Sequence, residues 1–155
     1  MRKTVLAMAA MLAACGGQQG SAPTTPVASS SQALREFMRA AADSNLTRMA
    51  ELWGSSRGPA AETRIPENYE KRLAVIQSYL RADSSRIVSD MPYTGDDNRR
   101  RLVMQIFRQG CMKQIPATML RIKGGWMVLD VELAAVGNPE RPCEPPAPDE
   151  GGVTR

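Results

Sequence analysis

The sequence predicts an α+β domain, with three N-terminal helices packed on a curved antiparallel sheet of about four strands. Three observations predict it. Apolar residues recur at three- and four-residue spacing from Leu34 to Leu80. From Arg86 onward the period drops to two, and Gly124-Gly125 separates two apolar runs in the manner of a tight hairpin.

The helices follow from their stripes. Leu34, Phe37, Met38 and Ala41 fall on one helical face, beginning near Gln32. Asp43-Ser44-Asn45 breaks the pattern and offers side-chain oxygens to cap the next helix. Leu46, Met49, Ala50 and Trp53 repeat the spacing, and Gly54 is placed to end that helix. Residues 54–65 read as a loop punctuated by Gly58-Pro59. Pro66 suits the first turn of a third helix, whose stripe is Tyr69, Leu73, Ile76 and Leu80. Glu67, Glu70, Lys71, Arg72 and Arg81 make its solvated side.

The strands follow from alternation. Ile87-Val88 is a short strand, and residues 91–98 read as a turn-rich connection containing Pro92, Gly95 and Asp96-Asp97. Residues 100–109 place Leu102, Met104 and Ile106 on one face, with Val103, Gln105 and Phe107 on the other. Both faces carry apolar groups, which predicts a central strand. With Gly124-Gly125 as the two-residue turn, Ile122 stands opposite Met127, Leu120 opposite Leu129 and Thr118 opposite Val131. The other face then pairs Lys123 with Trp126, Arg121 with Val128, Met119 with Asp130 and Ala117 with Glu132. Residues 137–155 are Pro-rich and read as an extended, largely disordered tail.

The first 14 residues have a different task. Arg2 and Lys3 precede a short uncharged apolar run, and small residues lead into Cys15. That is the layout of a secretory signal, too short to span a bilayer. The stretch Leu12-Ala13-Ala14-Cys15 resembles the lipobox of bacterial lipoproteins. The resemblance implies cleavage before Cys15, diacylglycerol on its sulfur and acylation of the new amino group. The alternative is a secreted protein with a chance cysteine. An Asp after the cysteine commonly retains such proteins at the inner membrane; Gly16 instead favours the periplasmic face of the outer membrane. Residues 15–31 then form the lipidated Cys and a Gly/Ser/Pro-rich flexible linker, and residues 32–136 the folded domain.

Composition narrows the function classes. Removing Arg2 and Lys3 leaves 18 basic residues against 16 acidic, a net charge of +2, with scattered arginines. That balance argues against nucleic acid as a partner. The chain has no histidine, which excludes His-dependent catalysis and His-ligated metal. No cofactor is expected. Two of the three cysteines, Cys111 and Cys143, remain after Cys15 is assigned to lipid. An oxidising envelope compartment favours a disulfide between them, although a reactive thiol is the rival reading. Two thiols alone do not complete a metal site.

The order of elements resembles the nuclear transport factor 2-like superfamily, carried by Phe37, Ala41, Asp43, Leu46, Leu52-Trp53-Gly54 and the Gly124-Gly125-Trp126 turn. The resemblance implies a cone-shaped fold that serves ketosteroid isomerases, polyketide cyclases and many binding domains. It implies possible dimerisation through the open sheet face, and a cone that holds a small apolar ligand. An enzyme of this kind would need a carboxylate in the cone, and Asp130, beside Arg121 and Met119, is the candidate. Asp130 also reads as one partner of a rim ion pair with Arg121. For binding, the residues singled out are Trp53, Arg57 and Arg121, with Arg57 and Arg64 on the loop that would border the cone. The functional expectation is a membrane-anchored envelope lipoprotein whose domain binds a small molecule or an envelope protein without catalysis. The alternative is a carboxylate-dependent enzyme of the isomerase or cyclase type.

Overall fold

A computed structural model describes residues 27–123 and 125–144. Cys15, the signal, the linker up to residue 26, Gly124 and residues 145–155 lie outside the described residues. The element order is α1 (Ser30–Ala42), α2 (Leu46–Leu52), β1 (Gly54–Ser55), β2 (Gly58–Pro59), α3 (Ala60–Thr63) and α4 (Tyr69–Leu80), then β3 (Ser84–Tyr93), β4 (Asp96–Arg108), β5 (Cys111–Ile122) and β6 (Gly125–Val131). A 3₁₀ turn, Leu133–Val136, follows. The fold is therefore mixed α+β, with one four-stranded antiparallel sheet in the order β3-β4-β5-β6.

The helices form where their stripes require. Ser29 caps α1 by accepting from the Gln32 N–H at 3.1 Å, and Leu34, Phe37 and Ala41 are fully buried. Asn45 caps α2 by accepting from the Arg48 N–H at 2.9 Å. Ahead of α1, Val27 is buried and its carbonyl accepts from the Trp126 N–H at 2.9 Å.

Residues 54–65 are not a plain loop. They contain the small β1–β2 ladder, Gly54 opposite Pro59, and the four-residue helix α3. Gly54 does not terminate α2, which ends at Leu52, with Trp53 already extended and bridged to Val128. Gly54 is needed for another reason: a Cβ there would collide with the Gly58 carbonyl and the Pro59 backbone. Pro66 lies before α4 and accepts from the Tyr69 N–H at 2.8 Å, with a cis bond after Ile65.

Residues 91–98, expected as a connection, are mostly strand. β3 runs for ten residues, and only Thr94-Gly95 turn between it and β4. The strand was hidden because β3 is an edge strand whose residues are almost all exposed, so its sequence carries little apolar alternation. A register shift at Val88, together with Pro92, blunts that edge against pairing with another chain.

The β5–β6 hairpin corrects the expected register. Ile122 stands opposite Gly125, Arg121 opposite Trp126, Leu120 opposite Met127 and Met119 opposite Val128. After a bulge, Thr118 stands opposite Asp130 and Ala117 opposite Val131. The reason lies in Val128 and Val131, which are three apart. A strict period of two can bury one of them, whereas the bulge buries both. The helix-facing set is therefore Ala117, Met119, Val128 and Val131. Thr118 and Leu120, expected on the core side, lie on the opposite face.

Leu102, Met104, Ile106, Ile115, Ala117 and Met119 meet Leu34, Phe37, Met49, Leu73 and Leu80 in one core between helices and sheet. The tail also differs from expectation at its start. Residues 139–144 make turns, and the Cys111–Cys143 pair with the side chains of Arg108 and Lys113 ties them to the sheet.

Candidate functional site

Among the described residues, three surface depressions and one cross-linked corner bring chemistry-bearing residues together. One depression, about 430 Å³, lies between α4, the end of α2 and the end of β6. Trp53, Val75, Ile76, Val131 and Leu133 supply its apolar wall; Lys71, Arg72 and Asp130 stand along it. Trp53 is held by its bridge to Val128 and is only 8% exposed, whereas Val75 is half exposed. Arg72 donates from Nε to the Asn68 Oδ1 at 3.0 Å, one turn earlier on α4. Two α4 cations thus rim an apolar groove, and that arrangement suits an amphipathic ligand with an anionic end.

A second cleft, about 120 Å³, opens at the β5–β6 turn. Val27, Leu52, Pro59, Ile122, Trp126 and Met127 line it with Arg48, Glu51, Glu62 and Lys123. Arg48 is committed to its carboxylates. It donates to Glu51 at 2.8 Å and also pairs with Glu36. Burial works against its charge, but the hydrogen bonds and attraction of Glu51 and Glu36 outweigh that and hold its pKa above the ordinary value. The third depression, about 240 Å³, has Arg35 and Arg39 of α1 facing Ser84 and Ser85.

Asp90 of β3 ties the sheet to the start of α1. It accepts from Ser30 Oγ at 3.1 Å, from Ser31 Oγ at 2.7 Å and from Arg100 Nε. Burial pushes its carboxyl up, yet Ser31, Arg100 and Ser30 together hold it below the usual carboxylate range.

The corner at the opposite end of the sheet is covalent. Cys111, at the start of β5, and Cys143 stand as a disulfide pair with Cα atoms 5.3 Å apart. Beside them Arg108 donates to the carbonyls of Ser78, Tyr79 and Arg81 at the end of α4, and to that of Pro139. Burial lowers the Arg108 pKa, with Asp83 acting in the other direction. Lys113 adds a bond from Nζ to the Glu144 carbonyl at 2.7 Å. A buried guanidinium here serves the last turn of a helix, whose final carbonyls lack partners of their own.

The structure separates the residues singled out from sequence. Asp130 is exposed and stands opposite Thr118 rather than beside Arg121 and Met119. Glu132 is also exposed and pairs with Arg101 at 2.7 Å. Asp130 is therefore not a carboxylate within the interior between helices and sheet; the bulge that buries Val128 and Val131 turns it outward. Arg57 sits at the exposed tip between β1 and β2, and Arg64 is exposed at the end of α3; neither lines a described depression. Arg121 is exposed opposite Trp126. Trp53 and Asp130 are the two sequence candidates brought to one groove.

Lys71, Arg72 and Arg108 were missed as functional or organising groups. On a helix surface Lys71 and Arg72 look like solvation, and Arg108 looks like the last residue of a strand. Only the fold shows what lies across from them. No protein-family model and no curated protein matches the chain.

Proposed function

We propose that this chain is an acylated lipoprotein of the cell envelope, anchored through Cys15 on the periplasmic face of the outer membrane. Its domain is of the nuclear transport factor 2-like kind and works by binding rather than catalysis. The observation that carries the reading is the pairing of Cys111 with Cys143. A disulfide suits an oxidising compartment, and it leaves Cys15 as the third cysteine, directly after a signal-like segment. The element order supports the fold-family reading: two helices, a short ladder, further helices and then an antiparallel sheet, with Trp53 bridged in parallel to Val128.

What supports binding over catalysis is the location of the carboxylates and of the apolar surface. Asp130 and Glu132 stand at the surface, while Phe37, Leu102, Met104, Ile115 and Met119 fill the space between helices and sheet. The groove at Trp53 and α4 offers apolar contact with Lys71 and Arg72 beside it, a place for an amphipathic anion or for an acidic apolar segment of an envelope protein. The test of the anchor is Cys15→Ser. The variant should leave the membrane fraction and lose acyl labelling; sedimentation with membranes after high salt would sink the reading.

A further inference from the structure

The position of Val27 says which end of the sheet meets the bilayer. Val27 is 7% exposed, and its carbonyl accepts from the Trp126 N–H at 2.9 Å, so the chain joins the domain beside the β5–β6 turn. Eleven residues, and so twelve Cα–Cα steps, separate Cys15 from Val27 along the sequence. Fully extended they reach about 40 Å, and an unstretched Gly/Ser-rich chain of that length spans about half as much. β5 is 12 residues long, so the Cys111 end of the sheet lies about 36 Å beyond the turn. With the sheet upright, only a fully stretched tether would let that far end touch the membrane. The turn end is the one held near it.

The chemistry of that end fits the position. From Cys111 to Leu129 the sequence has no acidic residue; the neighbouring β3–β4 turn at this end carries Asp97 and Asp96, the latter paired with Arg99, and Glu62 stands across the cleft. Arg121 and Lys123 are exposed and form no ion pair among the described residues. Ile122 and Trp126 are half-buried between them, and Trp126 is the cross-strand neighbour of Arg121. An aromatic ring, an aliphatic side chain and two free cations at one strand turn match the lipid–water interface, where rings sit at headgroup depth and basic groups meet phosphate.

We infer that the β5–β6 turn is a membrane-docking edge, with Arg121 and Lys123 on anionic phospholipid headgroups and Ile122 and Trp126 at the interface. The inference rests on Cys15 being the anchor. It makes the domain stand with its turn on the bilayer and its disulfide corner outward. The groove at Trp53 and α4 then reaches from Trp53, beside Val128, to Asp130 and Val131 at the far end of β6 from Trp126.

The experiment uses the acylated protein in vesicles of phosphatidylglycerol and phosphatidylcholine whose acyl chains are brominated near the headgroup. Trp53→Phe leaves Trp126 as the sole indole, and Trp126→Phe leaves Trp53. The docking edge predicts strong quenching of Trp126 and little of Trp53. Arg121→Glu with Lys123→Glu should cut the Trp126 quenching sharply, whereas Arg35→Glu with Arg39→Glu on α1 should leave it intact, all with unchanged circular dichroism. Vesicle-bound, acylated protein with Trp126 unquenched overturns the inference while the anchor stands. If the protein carries no lipid, the anchor reading fails separately. Sedimentation of the unacylated Cys15→Ser chain with phosphatidylglycerol vesicles then still scores the edge. Binding lost on the order of tens-fold on double charge reversal supports it, and no binding by the parent chain overturns it.

Discussion

The two ends of the sheet are held in different ways. At the outer end Cys111 is joined to Cys143, and Arg108 gathers three carbonyls of the α4 terminus and one of the tail. At the turn end Val27 is attached by a single backbone bond to Trp126, and α1 is tied to β3 through Asp90 and two serine hydroxyls. One end relies on a covalent link and a buried charge, the other on exchangeable hydrogen bonds. Under the proposed anchor at Cys15, the corner far from the membrane would keep the fold and the end near the tether would adapt to a surface.

Substitutions at the two ends should therefore differ in cost. The largest effect is expected from Cys143→Ser. Opening a loop with 32 residues of sequence separation should remove about 3–4 kcal/mol on the chain-entropy account, read as a fall in the urea midpoint. Equal midpoints with and without reductant would break the contrast. Next comes Arg108→Met, which strips the α4 carbonyls of their donor and should cost about 2–3 kcal/mol by the same assay.

At the turn end, Asp90→Asn should cost about 1 kcal/mol, because the pair with Arg100 is partly exposed. It should also change the acid limb. The folded Asp90 pKa lies below the unfolded value of about 3.9. Its contribution is thus complete above that value and is lost as pH falls through the folded pKa. Stability of the parent chain should drop below about pH 4 more steeply than that of Asp90→Asn; parallel acid limbs would contradict the assignment. The smallest effect belongs to Arg121→Gln and Lys123→Gln, which should change stability by less than about 0.5 kcal/mol. A large destabilisation there would show that these cations hold the fold rather than face a membrane.

Much of the helical layer was legible because its stripes are strong: Leu34, Phe37, Met38 and Ala41 are buried together, and Asn45 caps where the break at 43–45 predicts. The central place of β4 was legible from apolar residues on both its faces. The edge strand β3 was not, since exposed residues on an edge carry little alternation. The β5–β6 register was missed because the ladder closes two residues tighter than Gly124-Gly125 as the turn requires, with Ile122 opposite Gly125 rather than Met127. The later bulge, which buries Val128 and Val131 together, also leaves no local mark. With that shift Asp130 stands opposite Thr118 rather than Met119. The groove was half legible: Trp53 was singled out, but Lys71 and Arg72 look like ordinary solvated helix residues until β6 is seen opposite.

The most direct test of the account is the intact mass of the protein extracted from membranes, taken without reductant and then with it. An N-terminus at Cys15 carrying acyl mass, and a gain of two hydrogens on reduction, is the predicted result: lipid at one end of the molecule, the Cys111–Cys143 bond at the other. An unacylated N-terminus with free thiols would contradict both the envelope assignment and the orientation built on it.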